Sequence, residues 1–173
     1  MKRNAADGLF TKSSDLKNHY MRLAVLCGIV VLVDQVTKQI ILSVFALNES
    51  LEVIPGFFAL THVHNTGGAF GLFAGKASSI RTAFFLAVSC LSLGVIFYLY
   101  TTIARGKPWV AAAFSLIFAG ALGNLIDRIR FGEVVDFLDF YIGTTHWPAF
   151  NVADSAICVG VGILLLNVVL KKI

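Results

Sequence analysis

Four apolar segments, residues 21–45, 82–101, 108–126 and 152–170, constrain this chain more than anything else in it. A helix of about 20 mostly apolar residues crosses a hydrocarbon core of ~30 Å, and each segment comes to about that length. Of the 173 residues 57% are hydrophobic and only 14% charged. A water-soluble domain of that composition would lack the polar surface to cover four such helices. The sequence therefore predicts an all-α membrane protein with four transmembrane helices.

The basic residues orient the bundle. Lys2, Arg3, Lys12, Lys17 and Arg22, the Arg105–Lys107 turn, and Lys171–Lys172 make nine of the 14 Lys and Arg. Four spans put those three segments on one side, so both termini are expected in the cytoplasm and residues 1–20 form a loose polar tail there. The net charge of +4 is then a topology signal, and no basic groove with interleaved aromatics points to nucleic acid. Cys27 follows an apolar run of only Leu23–Leu26, too short for a cleaved leader, so residues 21–45 are expected to remain as a span. Cys27, Cys90 and Cys158 fall in separate spans without CxxC spacing and read as packing residues.

The remaining segments, 46–81 and 127–151, face outward. In the first, Leu51, Val53 and the run from Phe57 to Val63 favour strand, while Pro55–Gly56 and Gly67–Gly68 favour turns. An open strand edge cannot sit in lipid, so a small extracytoplasmic β-element on the membrane surface is expected.

Several polar groups then stand out. Asp34 and Lys38 in "VDQVTK" share a helix face at i, i+4, deep in an apolar span, where ionisable residues are costly. Their lysine–carboxylate pairing favours structural support over proton shuttling. In "HVHNTGGAF", His62 and His64 alternate on one strand face, but too few further ligands exist for a zinc site, so no metal is expected. Asn65 there opens a glycine turn that either presents polar groups or is merely a turn. "GNLIDRIRFGEVVDFLDF" gathers Asp127, Glu133, Asp136 and Asp139, and "FNVADS" adds Asn151 as an N-cap with Asp154 in the first helical turn. Ion pairing with Arg128 and Arg130 is a sufficient reason for Asp127. The outer ends of consecutive spans lie close, so Asp136 and Asp154 can converge. Two carboxylates in a low-dielectric site share a proton and support general acid–base hydrolysis. On the residues alone, aspartic hydrolysis, a small transporter and an assembly scaffold all stay open.

The ordered set "DQVTK", "HNTGGAF", "GNLIDR", "VVDF" and "FNVADS" resembles the lipoprotein signal peptidases (signal peptidase II), over nearly the whole chain after Tyr20. The resemblance implies an aspartic endopeptidase of the bacterial inner membrane. It would remove signal peptides from diacylglyceryl-modified prolipoproteins at the periplasmic face, acting as a monomer beside membrane lipid, without metal or cofactor. By motif, Asp136 and Asp154 are the implied catalytic pair. Asn65, Asn124, Arg128 and Asn151 are implied to bind substrate, and Asp34, Lys38 and Asp127 to support the site. The fold implied is four transmembrane helices with a small β-cradle. The family motif often has alanine where Gly68 stands.

Overall fold

The computed structural model describes residues 5–67 and 78–171, with side chains for 16–67 and 79–171. Its helices are α1 (Ala5–Val44), α2 (Ser78–Ile103), α3 (Pro108–Phe131) and α4 (Val152–Val169). Each contains a stretch long and apolar enough to cross a membrane, the first being Leu16–Val44. The boundary expected near residue 20 does not interrupt the helix, because α1 begins at Ala5. The segment read as a loose tail is thus largely helical. Lipid-type surface explains the exposure of Leu32, Leu91 and Leu165, at 64%, 70% and 61%, which water would not tolerate at this density.

α3 is the central helix and packs against α1, α2 and α4. Over half of its spanning stretch is buried, against none of that of α2. Small residues make this possible: a Cβ on Gly160 of α4 would lie 2.7 Å from the Ala113 carbonyl of α3. Without a hydrophobic drive between helices in lipid, such close backbone approach is what holds them together. At the end bearing the α2–α3 turn, Leu23, Tyr100, Val110 and Phe114 form an apolar cluster, and the Tyr100 hydroxyl donates to the His19 carbonyl at 2.6 Å.

The opposite end carries an antiparallel sheet of four strands in the order β1-β2-β3-β4. β1 (Ser50–Ile54) and β2 (Phe58–Asn65) occupy the segment where strands were expected. β3 (Val134–Ile142) and β4 (Thr145–His146) add strands beyond those expected, in the segment that carries the acids. Two connections set the site. Gly132 ends α3 in a left-handed conformation (φ 76°) that a side chain would strain, and turns the chain directly into β3. Phe150 then bonds both ways with Leu138, Leu138 N–H donating at 2.8 Å and Phe150 N–H at 3.1 Å. The start of α4 is thereby moored to the middle of β3.

Candidate active site

Asn151 sits at that mooring. It caps α4: its side-chain oxygen accepts from the Asp154 backbone N–H at 3.0 Å. Asp154 returns the bond, accepting from Asn151 N–H at 3.3 Å, which completes a capping box. The Asn151 side-chain amide points the other way and donates to Asp136 Oδ1 at 2.7 Å. One fully buried residue therefore holds both Asp136, on β3, and Asp154, on α4. From the adjacent strand, Asn65 donates to the second oxygen of Asp136 at 2.9 Å. Its own carbonyl oxygen accepts from Gly67 N–H at 2.8 Å, which fixes how the amide faces. Asn124 of α3 donates to Asp154 Oδ1 at 2.8 Å.

Asp136 is 2% exposed. Burial raises its carboxyl, and the charge of Asp154 adds to this; the bonds from Asn65 and Asn151 and the field of Lys38 oppose both, and the result is about 6. This carboxylic acid thus stays partly protonated near neutral pH, the property that general acid–base chemistry asks of one member of a carboxylate pair.

A separate charged knot lies deeper. Lys38 reaches Asp34 at 2.9 Å and Asp127 at 2.7 Å, with all three at most 2% exposed. Gln35 donates to Asp127 at 2.9 Å and to Asp34 at 3.2 Å. Asp34 also accepts from Ala153 N–H at 2.9 Å, at the start of α4, and Asp127 from Val135 N–H at 3.2 Å, in β3. The expected ion pairing of Asp127 with Arg128 and Arg130 is corrected: its cation is Lys38. Arg130 instead donates to Gln35 at 3.3 Å, and Arg128 lies over the Phe85 ring and donates to the Asn124 carbonyl at 3.3 Å. The sequence pattern shows the Asp34–Lys38 pair but not this partner, which comes from another span. Lys38 also donates to Asn124 Oδ1 at 3.1 Å and so connects the knot to the Asp154 side of the site.

Below Asp154 runs a groove of about 370 Å³ between α2, α3 and α4. Asn124, Arg128 and Asp154 stand in its wall, and the remainder includes Phe85, Val88, Ile96 and Ile157. Of the other acids, Asp139 pairs with His146 at 2.9 Å, and Glu133 with His64 at 3.2 Å and Arg81 at 3.5 Å. Lys76 and Gly68 lie outside the described residues. Among the described residues no group of three His, Cys, Asp or Glu side chains is placed to hold a metal ion.

A bundle of four spanning helices with two carboxylates bridged above an apolar groove defines an integral membrane protein with an enzyme-like site. Two solved chains described as bacterial membrane enzyme structures share the fold. Each has a TM-score of 0.76 and is 38% identical; the first alignment covers 84% of this chain and 91% of that one. The family model described as Signal peptidase (SPase) II matches residues 26–170. A lipoprotein signal peptidase of Desulforapulum autotrophicum is 50% identical over 88% of this chain and 94% of its own length. That of Geobacter sulfurreducens is 51% identical over 86% and 91%. The chain belongs to the signal peptidase II family, and is thus a membrane-embedded protease.

Proposed function

We propose that this protein is an aspartic endopeptidase that removes signal peptides from diacylglyceryl-modified prolipoproteins, with Asp136 and Asp154 as its acid–base pair. The observation that carries the reading is Asn151, which bonds both carboxylates and so sets them as one unit at the head of the groove. The family relationship supports the substrate class: the relatives are named lipoprotein signal peptidases.

In this mechanism Asp136, with its raised carboxyl, carries the shared proton and Asp154 is the base. A water between them loses a proton to Asp154 as its oxygen bonds the scissile carbonyl carbon. Asp136 protonates the carbonyl oxygen as charge develops there. Collapse of the tetrahedral intermediate returns that proton to Asp136, breaks the C–N bond, and passes the Asp154 proton to the departing amine. Asn65, Asn124 and Asn151 hold the carboxylates. Asn151 is fully buried and bonded through both ends of its amide, so it is the remaining capacity of Asn65 and Asn124, with Arg128, that is offered to peptide backbone. The groove takes apolar substrate chain. Asp34, Lys38 and Asp127 brace α1, α3 and α4 behind the pair. The site faces the periplasm at the outer surface of the inner membrane, with both termini cytoplasmic, in keeping with the basic residues at the opposite end. The protein works as a monomer and needs no cofactor.

The test is cleavage of a diacylglyceryl-modified prolipoprotein by the purified protein beside Asp136→Asn and Asp154→Asn, with and without EDTA. The reading requires cleavage that survives EDTA and is lost in both folded variants. A folded wild type that does not cleave, or either variant cleaving near-normally, overturns it.

A further inference from the structure

On the outer strands a second polar system stands apart from the carboxylates. His62 Nδ1 meets the Phe45 carbonyl oxygen at 3.0 Å, at the end of α1. His62 Nε2 meets His64 Nε2 at 3.1 Å, and His64 Nδ1 meets Glu133 Oε2 at 3.2 Å. Arg81 of α2 donates to the other Glu133 oxygen at 3.5 Å. Of the other carboxylates near β2, Glu49 accepts from Ala46 N–H at 2.7 Å, Glu52 on β1 accepts from the Tyr141 hydroxyl at 2.7 Å, and Asp139 on β3 pairs with His146 at 2.9 Å. Asp136 is reached from Asn65, whose side chain leaves the strand on the face opposite to His64.

Proton counting decides what this row is. A carbonyl only accepts, so the first contact needs a proton on His62 Nδ1. The nitrogen–nitrogen contact needs one proton between the rings. The contact with Glu133 needs another. Three contacts require three protons, and two neutral imidazoles bring only two. The third is either on an imidazole or on Glu133. Arg81 already supplies a donor to the far oxygen of Glu133, and the extra proton is assigned to the rings. With only two protons, one contact would set two acceptors face to face.

We propose that His62, His64 and Glu133 are a clasp of positioning residues that holds one proton more than two neutral histidines, and so fixes Asn65 against Asp136. The clasp ties four elements at one point: the end of α1, β2, the turn into β3, and the start of α2. Asn65 is the next residue after His64, and its bond to Asp136 is short enough to be sensitive to the strand's position. Loss of the third proton opens one contact and frees the end of β2. The catalytic part of this proposal rests on the function proposed above; the proton count does not.

The first experiment is nitrogen-15 NMR of histidine-labelled full-length protein in detergent micelles at pH 7, with signals assigned by His62→Gln and His64→Gln. The expected result is one doubly protonated ring, or an averaged pair with the same total, and its loss in Glu133→Gln. Two neutral rings in the wild type overturn the clasp. The second is a double-mutant cycle on prolipoprotein cleavage. Glu133→Gln is expected to lower kcat about fivefold with little change in KM, and to have almost no further effect in the Asn65→Ala background. A purely structural role would lower both backgrounds alike, and that additive result overturns positioning through Asn65. A wild type that cleaves nothing counts against the proposed function and leaves the NMR result standing.

Discussion

Replacing Asp136 by Asn should abolish cleavage at every pH, but its effect on stability should change sign with pH. The wild-type carboxyl rises from an ordinary value of 3.8 to about 6 on folding. At ~1.36 kcal/mol per pH unit, the ionised residue costs the folded protein about 3 kcal/mol relative to the unfolded chain. A raised carboxyl binds its proton more tightly when folded. Its contribution is therefore favourable below pH 3.8 and is lost as pH climbs through about 6. Asparagine removes that ionisation cost. It also brings one of its own, because Asp136 accepts from two amides, those of Asn65 and Asn151. An asparagine there accepts with one atom and sets an NH2 against a donor with the other, at about 1–3 kcal/mol. Above pH 7 the two effects leave the variant as stable as the wild type or a little more so. Below pH 4 only the penalty remains and the variant is weaker by about 1–3 kcal/mol. Thermal unfolding in micelles from pH 4 to pH 8 reads this directly: the difference in Tm should climb by several degrees in favour of the variant. A difference that is flat over the range would show that Asp136 is not a buried acid with a raised carboxyl, and the acid–base assignment would lose its main physical support.

The same carboxyl gives kcat/KM an alkaline limb near pH 6, and Asn65→Ala, which removes a bond favouring the ionised form, should move that limb to higher pH in a cleavage pH profile. Lys38→Met takes the one cation from a buried knot of two carboxylates, and should cost about 3–5 kcal/mol in thermal unfolding. Gly123→Ala would place a methyl 2.7 Å from Asp34 Oδ2 and 3.3 Å from Ala153. It should lower stability by about 1–3 kcal/mol, seen as a lower Tm in micelles.

The four spans were legible because lipid imposes a length and a composition on any crossing helix, and α3 and α4 appear where the apolar runs lie. β1 and β2 were visible for a similar reason, since their β-branched and aromatic residues are bounded by turn residues. β3 offered the same signal, with Val134, Val135, Phe137, Phe140 and Tyr141 between Gly132 and Gly143. Its acids interrupt that pattern, although strand pairing is what brings Asp136 beneath Asn65. The capping box of α4 was readable from Asn151 and Asp154 at i, i+3, because a helix start is a local event. The partner of Asp127 was not. Arg128 follows Asp127 directly and so lies 100° round the helix, Arg130 at i, i+3 reaches out to Gln35 instead, and the cation on the buried face belongs to Lys38 of another span. The second role of Asn151, reaching across to β3, is likewise a property of packing that no local pattern carries.

The placement of amides and cations around the two carboxylates follows one logic. The ion pairs found among the described residues include neither Asp136 nor Asp154, although a lysine lies close by. Lys38 reaches this region only through Asn124, which accepts from the ammonium with its oxygen and donates to Asp154 with its nitrogen. A cation in direct contact would favour the ionised form of whichever carboxylate it touched, and a pair held wholly ionised has no proton to give. An amide fixes the carboxylate's direction at a smaller electrostatic bias. Three asparagines from three elements, Asn65 on β2, Asn124 on α3 and Asn151 at the head of α4, supply that orientation. The Lys38 ammonium is held in a knot separated from Asp154 by Asn124, where it joins α1 to α3 and meets the first turn of α4. The two tasks oppose each other, since rigidity calls for strong charged bonds and acid–base exchange calls for carboxylates free to differ in protonation. Asn124 lies on the boundary that separates them.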